Sequence, residues 1–185
     1  MENNDITLLS VQKIVKPKIE NVIPEILKNN AKKTALDFVA YLRENKMNPA
    51  WTLHNAWKVT NKGNVLCYIR LGWGFWRSRD SENGKWEVTP YLNHISEYEN
   101  NITNEGLQNI VLNNLCFCKS CGNNCSGSID KTILGEIKNL CDGITTNRFP
   151  LPVANPDEAD IGNIKRLLEL EKQARIEKSK NIKEK

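Results

Sequence analysis

Residues 51–71 read WTLHNAWKVTNKGNVLCYIRL, and their period decides the fold. Trp51, Leu53, Asn55, Trp57 and Val59 alternate onto one face of an extended segment. Val65, Cys67, Ile69 and Leu71 repeat the alternation, the period-two signature of half-buried strands. Asn61-Lys62-Gly63-Asn64 between them reads as a turn. Working outward, Gly72-Trp73-Gly74 permits a bend or bulge, Phe75 to Arg79 reads as a third strand, and Asn83-Gly84 is a hairpin signal before Lys85 to Thr89. The first 62 residues contain no glycine, whereas Gly63, Gly72, Gly74 and Gly84 punctuate this stretch as short-looped strands require. The expectation is an antiparallel meander.

The flanks follow a helical period. Ala35, Leu36, Phe38, Val39 and Leu42 recur at spacings of three and four, which predicts a helix over 31–45 that ends before Asn48-Pro49. Residues 6–28 hold helical pieces interrupted by Pro17 and Pro24, a broken helical arm. Thr103 to Leu115 reads as a helix capped by Thr103, with Gly106 its weak point. Ile133, Leu134, Ile137, Leu140 and Cys141 also fall at helical spacing. Pro150, Pro152 and Pro156 keep 148–156 extended, and Asn155-Pro156 with Glu158 signals a final helix. Its apolar stripe, Ile161, Ile164, Leu167 and Leu168, stops near Leu170, so the lysine-rich end is expected to fray. These elements predict an α+β fold, a two-layer sandwich in which helices cover an antiparallel β-meander, with a cysteine-rich zinc-knuckle segment and a terminal helix. The organisation read from them is a helical arm over 1–30, the sandwich over 31–115, the cysteine segment over 116–155, and the helix with its basic tail over 156–185.

Charge argues against a nucleic-acid binder. The net charge is +4, but residues 165–185 hold eight bases and four acids, leaving eighteen of each in the other 164 residues. A neutral body lacks the basic footprint that phosphate recognition needs, and a DNA-associated regulator working through the tail ranks last. The longest apolar run, Val65 to Ile69, is far too short to span a membrane. The first residues lack the basic and apolar regions of a secretory signal, which places the chain in a reducing cytoplasm.

Cysteines carry the strongest chemical signal. Five of six fall in the order Cys116-x-Cys118-x2-Cys121-x3-Cys125-x15-Cys141. Cys118-Lys-Ser-Cys121-Gly122 has the form of a metal knuckle, in which a tight turn aims backbone N–H groups at two thiolates. On a helix, Cys141 would share a face with Ile137 and Ile133 and return its thiol to the loop. The expected site is one tetrahedral zinc held by Cys118, Cys121, Cys125 and Cys141, closed and structural, with Cys116 the alternate ligand. Four thiolates also suit an iron–sulfur cluster, but the order of two intervening residues and then three is the reverse of the radical-enzyme loop, and the Cys-Pro ending of bacterial ferredoxin runs is absent. Cys67, alternating between Val65 and Ile69, reads as a buried core thiol.

All five tryptophans lie in the meander. Most such rings build core. As an exposed aromatic pocket for an unidentified small molecule or protein, Tyr68, Arg70, Trp73, Trp76, Arg77 and Arg79 are the candidate contacts. No catalytic residue is assigned, because His54 and His94 are the only histidines and neither sits in a nucleophile, P-loop or zinc-protease motif.

The segments Ala35-Leu-Asp-Phe-Val-Ala-Tyr-Leu42, Trp57-Lys-Val59 and Cys67-Tyr-Ile-Arg-Leu71 resemble small uncharacterised bacterial proteins similar to the frataxin-like, iron-chaperone-like domains. The resemblance spans residues 20–115 and implies an antiparallel sheet layered with helices. The acidic ridge that such domains use for iron has only Asp37 and Glu44 to match it here.

Overall fold

The computed structural model describes residues 11–72, 85–117, 127–142 and 149–181. The chain divides into two compact units, residues 1–89 with 153–161, and residues 90–152 with 162–185.

The first unit is α+β. Residues 11–15 are helical, followed by α1 (Ile19–Ile26) and α2 (Asn29–Glu44). Ile19, Val22 and Ile23 of α1 and Ala35, Phe38, Val39 and Leu42 of α2 are buried, the stripe that their spacing requires. Strands β1 (Asn48–Leu53), β2 (Ala56–Asn61), β3 (Asn64–Leu71), β4 (Trp86–Pro90) and β7 (Val153–Ala154) form one sheet in the order β1-β2-β3-β4-β7. The ladders β1/β2, β2/β3 and β4/β7 are antiparallel. Trp57 lies opposite Ile69 and Val59 opposite Cys67, and all four are fully buried.

Residues 51–59 are not the single strand that their alternation predicts. The chain folds back at His54-Asn55, with Asn55 at φ 49. Asparagine tolerates that left-handed region, and a residue remote in sequence holds it there. The amide of Gln12 donates to Asn55 Oδ1 (2.7 Å), while its Oε1 accepts from Asn55 N (3.0 Å) and Trp51 Nε1 (3.2 Å). Trp51 and Trp57 therefore face each other across a hairpin. The expected third strand at 75–79 and the Asn83-Gly84 turn lie outside the described residues.

The second unit holds a 3-10 turn (Ile95–Glu97), α3 (Glu99–Asn104), α4 (Gln108–Asn113), the hairpin β5 (Ser128–Ile133) and β6 (Glu136–Cys141), and the body of α5 (Glu158–Asn181). The helix expected from 103 to 115 is two short ones, because Gly106 takes φ 71 and ends the first. The helix expected around 133–141 is instead this hairpin, with Ser128 opposite Cys141 and Ile133 opposite Glu136. Leu134 and Gly135, at φ 52 and 77, form the two-residue turn that matches strand twist, and Leu134 N donates to Glu99 Oε1 (3.2 Å).

Helix α5 begins with a reciprocal cap from Asp157 and Asp160. Asp160 N donates to Asp157 Oδ1 (2.8 Å) and Asp157 N to Asp160 Oδ2 (3.3 Å). Asn155, expected as the cap, pairs with β4 instead: Trp86 N donates to its Oδ1 (3.0 Å) and its own N donates to Trp86 O (2.7 Å). The helix does not fray after Leu170, since Glu171 and Ala174 are buried.

Candidate metal centre

Strand β6 ends at Cys141, and both edges of that end are engaged. On one edge β5 begins, with Ser128 opposite Cys141 and Gly127 O accepting from Asp142 N (3.2 Å). On the other edge Phe117 bridges Leu140 antiparallel, and Cys141 N donates to Cys116 O (2.9 Å). Cys116 and Cys141 are thus opposed residues of one short ladder, so their side chains leave the same face. Each is 9% exposed and neither is in a disulfide. The Cys116 thiol lies 3.7 Å from Pro150 O, to which it donates.

Cys118, Cys121 and Cys125 lie outside the described residues. Among the described residues, no group of three or more His, Cys, Asp or Glu is placed to hold a metal. The ends of the intervening stretch are nevertheless fixed. Phe117 and Gly127 flank the end of β6, and each of the three cysteines is at most four residues from one of them. Cys141 itself arrives by strand register and not by a helical face.

Cys67 is a core thiol with no exposure, and burial pushes its pKa well above the ordinary thiol range, so it stays protonated and unreactive.

Of the aromatic-sheet candidates, Trp73, Trp76, Arg77 and Arg79 lie outside the described residues. Tyr68 and Arg70 share a face of β3, with the Arg70 guanidinium 5.3 Å from the Tyr68 ring centroid. Arg70 is buried. Its Nη1 donates to Glu87 Oε1 (2.9 Å) and Thr89 Oγ1 (3.0 Å), and the Thr89 hydroxyl donates to the same carboxylate (2.7 Å). A guanidinium held by an internal carboxylate neutralises a buried charge. Nothing local in the sequence marks Glu87 and Thr89 as its partners; alternate positions on β4 are the only hint.

A cleft of about 550 Å³ opens beside the start of α2, lined by Asn30, Lys33, Thr34, Lys85, Asn155 and Glu158 among others. Lys33 Nζ stands 3.9 Å from Glu158 Oε1, and Asp157 offsets the second lysine, so the lining has no net charge with which to select an ion.

In the second unit a carboxylate with no solvent exposure organises a polar cluster. Glu171 accepts from His94 N (3.1 Å), Tyr98 Oη (2.8 Å) and Arg175 Nε (2.7 Å), and pairs with His94 Nδ1 (2.9 Å). Burial, and then the neighbouring carboxylate, drive the Tyr98 pKa far above that of a free phenol. The Glu171–Arg175 spacing of four was visible in the sequence, but a lysine-rich context disguised it as a solvated face.

Comparison with protein-family models, with curated proteins and with solved structures finds no match to this chain.

Proposed function

We propose that the chain is a cytoplasmic α+β binding protein whose cysteine segment holds one structural zinc through the thiolates of Cys118, Cys121, Cys125 and Cys141, with Cys116 as the alternate ligand. The single observation that supports this is the placement of Cys141 opposite Cys116 at the end of β6. A chain segment bearing three more thiols is anchored on both flanks of that point. Thiolates in such number, three of them from the polar stretch of sequence between Phe117 and Gly127, suit tetrahedral zinc, which needs no further ligand. The zinc would supply cross-linking of the loop to the hairpin, so its binding free energy becomes folding free energy.

Metal analysis of the full chain, purified without added metal, tests the reading. One zinc per chain is expected, with loss in Cys118→Ser and Cys141→Ser, and Cys116→Ser reports whether its thiolate takes one of the four places. Equal zinc content in wild type and the first two variants overturns the tetrathiolate site. Brown colour with visible absorbance assigns the cysteines to an iron–sulfur cluster.

A further inference from the structure

The opposed thiols carry a second chemistry. Hydrogen-bonded partners on an antiparallel ladder stand about 5.5 Å apart at Cα, within the range of about 4.4–6.8 Å found in disulfides. Cys116 and Cys141 occupy such positions, joined by the 2.9 Å hydrogen bond from Cys141 N to Cys116 O. Their side chains leave the same face of the ladder, as a bridge between them requires. Opposed Cβ atoms lie about 4.5–5.5 Å apart, whereas relaxed disulfides have about 3.5–4.5 Å. A bridge here is therefore formable but strained, which gives a reversible, easily reduced disulfide.

We propose that Cys116 and Cys141 are a redox couple that a small hydroperoxide closes. One thiolate attacks the peroxide O–O bond, forming a sulfenic acid and releasing an alcohol, or water from hydrogen peroxide, once the departing oxygen takes a proton. The second thiolate then attacks that sulfur and expels hydroxide, which leaves as water. In sum, two thiols and one hydroperoxide give one disulfide, one alcohol and one water; sulfur loses two electrons and the peroxide gains them. Resting on the zinc reading above, the couple also governs the metal: a disulfide at Cys141 removes that thiolate, and zinc leaves unchanged in oxidation state.

The full chain, both as purified and after chelator treatment, is exposed to one equivalent of hydrogen peroxide and mapped by mass spectrometry of non-reduced peptides. The expected result in both samples is a peptide joining Cys116 to Cys141 that dithiothreitol separates, absent in Cys116→Ser. Disulfides confined to other cysteines, with both 116 and 141 still open to alkylation, overturn the couple. In the untreated sample zinc release should follow the cross-link and be suppressed in Cys116→Ser; release independent of the cross-link overturns the coupling alone. A cross-link in a wild-type chain that binds no zinc retains the couple and removes the metal reading.

Discussion

Replacing Glu171 with alanine should destabilise the second unit by about 3–5 kcal/mol. The carboxylate is inaccessible to solvent and the Arg175 guanidinium is 13% exposed, so the pair is shielded and its removal strands a charge with little access to water. The Tyr98 hydroxyl and the His94 amide lose their acceptor as well. A buried donor left without an acceptor costs about 1–3 kcal/mol, and breaking one side of a buried ion pair about 3–5 kcal/mol. These costs overlap, because relaxation after one loss eases the next, and the larger sets the range. At about 2–4 °C per kcal/mol for a chain of this size, the melting temperature should fall by roughly 10 °C. The assay is thermal and urea unfolding followed by circular dichroism, with exposed Glu177→Ala on the same helix as the control, expected within about 0.5 kcal/mol of wild type. Tyr98→Phe should cost about 1–2 kcal/mol and couple to Glu171→Ala in a double-mutant cycle. A loss below 1 kcal/mol for Glu171→Ala would mean that the carboxylate is solvated and that this part of the helix is a fraying tail.

Two further outcomes follow from the same geometry. Gly135→Ala should destabilise by about 1 kcal/mol in urea titration, because Gly135 sits at φ 77 with nothing within 4 Å of an added Cβ, leaving strain without a clash; in a helix over 133–141 the same change would stabilise by about that amount, so the sign decides between the two. Tyr98, with its folded-state pKa raised, contributes stability that is intact below the free phenol value of about 10 and is lost as pH rises above it. Stability measured between pH 9 and 11 should therefore fall less steeply in Tyr98→Phe than in wild type, and equal slopes would contradict the assigned environment.

How far the sequence reaches is plain from particular residues. The α2 stripe and the alternation of Cys67, Ile69 and Leu71 were legible because a single face against a core imposes a single period. Gly106 was legible as a weak point, since only glycine enters the left-handed region without strain. The cysteine spacing suggested a metal chemistry, because ligand type and number follow from composition, and that reading stands as a proposal. Other features depended on partners far along the chain. Gln12 turns Asn55 and so converts one apparent strand into two. The Leu134 amide is tied to Glu99, which supports a hairpin where residues 133–141, read alone, fit a helix equally well. Glu171 looked solvated until His94 and Tyr98 surrounded it. By itself the sequence determined the sheet's alternating faces, the apolar helices and the inventory of thiols, all consequences of local period and composition. Only tertiary structure decided which backbone polar groups meet across the chain, and with them the register that sets Cys116 opposite Cys141, because a strand's partner is chosen by long-range hydrogen bonds that no local window contains.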